Sequence, residues 1–215
     1  MPAQDPDELF DLYAPDGEPL GRSKPRALVH RDGDWHRSLH VWVVLDERGP
    51  ELVFQRRSAA KDTWPGKIDI AVTGHFRAGE SLAAALREAD EEIGLPLTTA
   101  DVVKLGVRWS AEDRGDVHDH EIQEVLAART PRSLSSLRPD PDEVEALIAV
   151  TLADAHGLFL HTGRAGARVL GAAGETSCEI TIDQFVPDRD GYYPRALRSV
   201  AAWLAGSSED PWCMK

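Results

Sequence analysis

The chain has 215 residues, 42% of them hydrophobic, enough to bury a substantial core as one large domain or as one domain with extensions. Its 24 basic residues face 37 acidic ones, a formal net charge of −13, and no basic tract of five or more residues occurs, which argues against a protein held to nucleic acid or an anionic membrane surface by its field. No segment approaches the roughly 20 apolar residues of a membrane span, the acidic opening MPAQDPDELF lacks a secretory pattern, and Cys178 and Cys213 stand far apart without a CxxC pairing. The expected setting is a reducing cytoplasm, and the expected partner is a small molecule, bound by a monomer or homodimer.

From the N-terminus, residues 9–23 (LFDLYAPDGEPLGRS) place a Pro-Asp-Gly turn between short extended pieces and predict a hairpin. Residues 38–58 are two apolar, β-rich runs around a polar turn holding Gly49 and Pro50, a second hairpin. KIDIAVTG predicts a further short strand, followed by a helix over 81–93. Residues 102–109 and 121–129 read as strands joined by a polar loop with Gly115. The stretch 142–152 mixes periods but ends β-like, and LADAHGLFL predicts a short helix. Residues 162–178 are Gly/Ala-rich with poor periodicity and are expected to form a loop. A closing amphipathic helix over 194–206 carries a Gly stop signal. Hairpins around one helix, then more strands and a helix, predict an α/β fold with a mixed sheet between helices. Strand–helix alternation is too sparse for a doubly wound fold.

The 81–93 helix carries the chemistry. At about 100° per residue, Leu82, Leu86, Ala89 and Ile93 fall in one apolar stripe, while Glu88, Glu91 and Glu92 share a separate arc. Arg87 stands one turn before Glu91, able to brace it, and Gly94 supplies the left-handed stop. Like charges this close repel, so either solvent absorbs the cost or a cation sits among them. Mg²⁺ demands oxygen ligands, keeps waters and bridges to substrate phosphates, and this arrangement suits it.

The stretch from Gly74 to Leu95 resembles the Nudix box, G-x5-E-x7-R-E-U-x-E-E-x-G-U with U a bulky aliphatic. Gly74, Glu80, Arg87, Glu88, Glu91, Glu92, Gly94 and Leu95 have counterparts; Ala89 is smaller than the pattern asks. Only six residues, Ser81 to Leu86, separate Glu80 from Arg87 where the pattern has seven. The missing residue falls where loop meets helix, so the helical glutamates keep their spacing and the brace from Glu80 is what the shortening affects. Ser81 can cap the helix one residue early, and Glu80 is expected still to reach it.

A narrower likeness extends on both sides. LVHRDGDWHRSLHVWVV, RRSAAKDTWPGKID and VTGH resemble the Nudix branch related to isopentenyl-diphosphate isomerase, over roughly residues 9 to 130, and DQFVPDRDGYY resembles the tails of that branch's hydrolase-like members. In the isomerases a Cys-Gly-His supplies the acid that protonates the alkene. Here Thr73 stands in the cysteine's place, and a hydroxyl cannot replace a thiol near neutral pH. The isomerases also carry a basic residue where Glu88 stands. Both differences point to the hydrolase side.

The resemblance implies a Nudix α/β/α sandwich with an N-terminal hairpin and a C-terminal helix: an extension over 1–36, the Nudix domain over 37–160, and a C-terminal loop and helix over 161–215. It implies Mg²⁺ or Mn²⁺ on Glu88, Glu91, Glu92 and the Gly74 carbonyl, with one more carboxylate from beyond the box, for which Glu121 is best placed and Glu124 the alternative. Glu121 or Glu88 would be the general base. Glu80, Arg87 and Gly94 would support the helix. Arg57 and Lys61 match pyrophosphate-binding positions, with plain surface cations as the alternative. His36, His75, Asp119 and Glu121 match positions that hold metal in the isomerases; the simpler reading, preferred here, makes His30, His36 and His40 hydrogen-bonded hairpin residues. His118 and His120, flanking Asp119, are weak metal candidates. Trp64-Pro65-Gly66 reads as a structural turn packing on the core, and Trp109 as a buried aromatic rather than a base-stacking one. The implied function is a Mg²⁺/Mn²⁺-dependent hydrolase that cleaves a phosphoanhydride in a nucleoside-diphosphate-linked or other organic diphosphate. The alternatives are isopentenyl-diphosphate isomerase activity, or a non-catalytic nucleotide sensor; sensors typically lose box glutamates or gain a DNA-binding domain, and this chain does neither.

Overall fold

A computed structural model describes residues 5–61, 63–207 and 210–215. Strands β1 (Leu9–Tyr13) and β2 (Pro19–Pro25) pair as a hairpin, and helix α1 (Arg26–Asp32) follows directly, closed by Gly33 at φ 67°. A second hairpin joins β3 (His36–Leu45) to β4 (Glu51–Arg57); β5 (Ile68–Ile70) and β6 (Val72–His75) come next, then α2 (Leu82–Ala85) and α3 (Arg87–Ile93). The chain continues through β7 (Val102–Arg114), β8 (Val117–Thr130), β9 (Val144–Thr151), α4 (Leu152–Leu160), β10 (Arg164–Gly171), β11 (Gly174–Thr181), α5 (Tyr192–Leu204) and β12 (Trp212–Met214). Ten strands make one sheet in the order β11-β10-β9-β4-β3-β8-β7-β12, with β5 on β4 and β6 on β3. The β3–β8 and β7–β12 pairs are parallel and the others antiparallel, so the sheet is mixed.

The packing of β3 on both faces explains why its second half, 41–45, is apolar throughout. Leu39, Val41, Val43 and Leu45 pack with Ala85 of α2, Ala89 and Ile93 of α3, and Leu86 between the two helices. Trp42 and Val44 point the other way, into Ala155 and Leu158 of α4 and Tyr192, Tyr193, Ala196, Leu197 and Val200 of α5. A strand covered on both faces cannot afford polar positions, and each fully buried Val, Leu or Phe contributes about 1.5–3 kcal/mol.

Several expectations need correction. The predicted 81–93 helix is divided at Leu86 (φ −63°, ψ −9°). Ser81 caps the first piece by accepting the Ala84 N–H at 3.4 Å. The strand expected over KIDIAVTG is two short strands on different partners, β4 and β3. Residues 162–178 are not a loop but most of the β10–β11 hairpin. The inward positions of β10 are Ala165, Ala167 and Val169, so its alternation is present but carried mostly by small side chains. The strands β7 and β8 run on past 109 and begin before 121, so the polar loop shrinks to a tip at Gly115 (φ 60°). Helix α1 and strand β12 were not anticipated. The latter docks because Gly106 has no side chain: a Cβ there would lie 2.3 Å from the Trp212 ring. Among the described residues no helix is long and apolar enough to cross a membrane.

Candidate functional site

A cavity of about 1420 Å³ brings together Thr73, Gly74 and His75 of β6, Glu88, Glu91 and Glu92 of α3, and Glu121 and Gln123 of β8, with Arg57, Lys61 and Tyr192 among its other walls. The three helical glutamates do not share one environment. Glu91 is exposed over about half its side chain (54%). Glu92 is 2% exposed, not part of a solvated arc; its Oε2 accepts the Thr73 N–H at 3.0 Å and the Gln55 amide at 3.1 Å. Glu88 lies against the backbone of Gly74, so closely that a Cβ on Gly74 would meet Glu88 Cγ at 2.4 Å.

Arg87 is the hub of the set. Its Nη1 donates to Glu88 Oε1 at 2.7 Å, and its Nε lies 3.5 Å from Glu80 Oε1 and 3.8 Å from Glu91 Oε1. Glu80 therefore touches Arg87 despite the one-residue shortening, and its other oxygen accepts the Arg77 N–H at 2.8 Å. Gly94 ends α3 at φ 67°.

Burial, and after it the charge of Glu92, pushes the Glu88 carboxyl up to about 8, with Arg87 opposing. Burial likewise raises Glu92, against Lys61 and the Thr73 N–H. At neutral pH without a cation, Glu88 is thus mostly protonated, and a cation binding there must displace that proton. Mn²⁺ affinity is expected to rise with pH, by up to about tenfold per unit, and to level off near pH 8. Calorimetric titrations across pH 6 to 8 check this, and a flat response would count against Glu88 as a ligand.

Beside the glutamates lies a second donor set. His30 of α1, His36 of β3, His75 of β6 and Asp119 of β8 place one ligand atom each within 4.8 Å of one another. His36 is a hydrogen-bonded residue of the β3–β4 hairpin, as the preferred reading has it, and it belongs to this set as well; His30 departs from that reading because it lies on α1. His30 is on a helix, and only that helix turns it back onto His36, so its neighbourhood was invisible in the sequence. The Nε2 atoms of His30 and His36 lie 3.7 and 3.6 Å from Asp119 Oδ1, and His75 Nε2 lies 3.3 Å from Glu121 Oε1. His36 Nδ1 is bonded to the Asp34 carbonyl at 3.0 Å, which leaves the lone pair on Nε2, an arrangement typical of metal-ligating imidazoles. The buried Nε2 atom of His36 makes no hydrogen bond, whereas that of His75 faces Glu121 while the Arg26 guanidinium lies 3.4 Å from its Nδ1. Phe10 stacks on both rings, at 5.3 and 4.8 Å. Burial lowers His36 and takes His75 down to about 3, so both are neutral. Burial works against a charge on Glu121, yet the adjoining His75 holds its carboxyl well below the usual range, so Glu121 is ionised.

The remaining candidates divide clearly. Glu124 faces away, paired with Arg37 and 3.9 Å from Lys104. His40 is a hydrogen-bonded imidazole, 2.9 Å from the Tyr192 hydroxyl. His118 and His120 both bond Asp113, at 2.6 and 3.2 Å. Arg57 and Lys61 are not surface cations. Arg57 is 7% exposed and donates to Thr63 and, at 3.3 Å, to Asp69; the Lys61 ammonium sits between Glu143 and Glu92. Trp64 holds φ 48° and lines the cavity with the Arg114 guanidinium 3.6 Å from its ring centre, rather than packing into the core. Trp109 is half-buried, against the Lys215 ammonium at 4.6 Å.

Among the described residues the donors that gather closely are the imidazoles with Asp119, a set that suits borderline divalent ions; Glu88, Glu91 and Glu92 line the same cavity in three different environments. Over 146 residues the chain is 50% identical to Nudix hydrolase 3 of Arabidopsis thaliana; the match takes in 66% of this chain and 19% of that much longer protein. It is 36% identical over 157 residues to the isopentenyl-diphosphate Delta-isomerase of Cutibacterium acnes, covering 71% of this chain and 78% of the relative. A crystal structure of a Deinococcus radiodurans protein aligns with TM-score 0.50 and 20% identity over 68% of this chain and 85% of that one, a likeness of fold alone. The NUDIX domain family matches residues 34–170, from just before β3 nearly to the end of β10 and with every box residue inside it, and the chain belongs to the Nudix family of hydrolases.

Proposed function

We propose that the protein cleaves a phosphoanhydride bond in a nucleoside-diphosphate-linked or other organic diphosphate, with Mg²⁺ or Mn²⁺. The observation that carries this reading is that the three helical box glutamates, Glu88, Glu91 and Glu92, share one cavity with Glu121, Arg57 and Lys61. Glu88, Glu91, Glu92 and the Gly74 carbonyl would hold the ion, which when bound neutralises charge on the phosphate oxygens. Arg87, braced by Glu80, aims Glu88. Glu121, ionised across the neutral range, accepts the proton of the attacking water. Arg57 and Lys61 add positive charge to the cavity wall, shared with Asp69, Glu92 and Glu143. The convergence of His30, His36, His75 and Asp119 favours a second cation, on imidazole ligands, beside the first.

The test is a panel of nucleoside di- and triphosphates, nucleotide sugars, dinucleoside polyphosphates and isopentenyl diphosphate, incubated with Mg²⁺ or Mn²⁺. Release of phosphate or a monophosphate product supports the hydrolase. Tight binding without turnover would make the protein a sensor instead. Isomerisation is expected to be absent, because Thr73 offers no proton of suitable acidity. Deuterium exchange from ²H₂O into isopentenyl diphosphate, followed by NMR, checks this, and exchange above the enzyme-free control would overturn it.

A further inference from the structure

We propose that Gln123 is a positioning residue that fixes the Glu121 carboxylate, and that the C-terminal segment, through Asp190 and Arg108, holds Gln123 in place. The proposal rests on Glu121 acting in the hydrolysis. In the antiparallel register of β7 and β8, Arg108 lies opposite Gln123 and Ser110 opposite Glu121, so these side chains share one sheet face. The Gln123 amide donates to Glu121 Oε2 at 2.8 Å, and its carbonyl oxygen accepts from Arg108 Nη1 at 3.1 Å. Arg108 is itself immobilised: Nε and Nη2 donate to the two oxygens of Asp190 at 2.7 and 3.1 Å, and the guanidinium lies 4.5 Å from the Tyr192 ring centre.

Donor chemistry makes the amide the required link. Guanidinium can only donate and carboxylate can only accept, whereas an amide does both. A direct Arg108–Glu121 pair would also neutralise the base; the amide transmits orientation without transferring charge. One Glu121 oxygen is thereby committed to Gln123, and the other lies toward His75. Asp190 stands beyond the matched residues 34–170, in a turn where the Asp188 carboxylate accepts the N–H groups of Gly191, Tyr192 and Tyr193. The simpler alternative is a staple, in which Arg108 and Asp190 merely tie α5 to the sheet.

Steady-state kinetics with Mg²⁺ and the panel substrate cleaved fastest separates the two. Gln123→Met keeps the side-chain shape and removes both hydrogen bonds. It is expected to lower kcat about 10–100-fold at unchanged KM. Asp190→Ala should lower kcat in the wild-type background yet leave it unchanged in the Gln123→Met background, because a chain already broken cannot break again. Effects that multiply, or that appear only in the melting temperature, would mean a staple and overturn the proposal. If Gln123→Met does not fold, full kcat in Asp190→Ala overturns it equally. Glu121→Gln separates the two layers of the argument. If that variant is inactive while Gln123→Met is not impaired, the positioning role alone falls; if Glu121→Gln keeps full rate, the role of Glu121 falls and the positioning role with it.

Discussion

Glu88→Gln is expected to reduce metal-dependent turnover by more than the about 10–100-fold typical of groups that merely support a ligand, and to do so without unfolding the protein. The amide oxygen can still accept from Arg87, which now holds Glu88 Oε1 at 2.7 Å, so the packing against Gly74 survives. Stability should move in the opposite direction from activity. Burial raises Glu88 to about 8, so between its ordinary value and that one the folded state binds more protons than the unfolded chain. Without metal, this group's contribution to stability therefore declines as pH rises through that window. Glutamine does not titrate. In EDTA, the variant should melt close to wild type at pH 5 and above it at pH 8. A variant that melts lower at pH 8, or that turns over at the wild-type rate with Mg²⁺, would remove Glu88 from the site.

Gly74→Ala is expected to produce a related loss with the carboxylate still present. Its φ is not in the left-handed region, so the backbone tolerates alanine. The new methyl would, however, lie 2.4 and 2.6 Å from Glu88 Cγ and Cδ, and such overlap forces the side chain aside at a cost of about 1–3 kcal/mol. Because the ligand is displaced rather than deleted, the Mg²⁺ concentration for half-maximal rate should rise by about tenfold or more, as for other disturbed ligand geometries. Excess Mg²⁺ should then restore much of the rate, which it should not do for Glu88→Gln. Rate curves against Mg²⁺ distinguish these outcomes. An unshifted curve would mean that the position of Glu88 against Gly74 is immaterial.

The contrast between these glycine and glutamate positions and the histidines shows what the sequence could carry. The box lies on one short helix and the strand before it, so the spacing of Gly74, Arg87, Glu88 and Glu91 was enough to foresee which groups meet. The two hairpins at 9–23 and 38–58 were legible because turn residues separate alternating runs, and the closing helix because its apolar face recurs at the helical period. His30, His36, His75 and Asp119 come instead from a helix and three strands. Their convergence depends on the parallel β3–β8 pairing, which sets His36 opposite Glu121, and on α1, which has no capping side chain to announce it. The β10–β11 hairpin escaped because alanine gives little hydrophobic contrast, and Glu92 looked exposed because a helical wheel does not reveal that Gln55 and Thr73 wait on the far side.

The placement of Asp190 has a consequence for how the enzyme comes into being. Chains fold progressively as they leave the ribosome, N-terminal parts first. The strands from β3 to β9 are all made before Asp190, and for that interval Arg108 has no partner carboxylate from the tail. That pair is only partly buried, so its absence costs little by itself; the unfinished chain also lacks α5, whose Tyr192, Tyr193, Ala196, Leu197 and Val200 cover one face of the sheet. The nascent protein should therefore complete its core and acquire its activity together, once α5 has docked. Proteolytic clipping in the turn around Asp188–Gly191 should switch off a finished molecule while leaving the sheet intact.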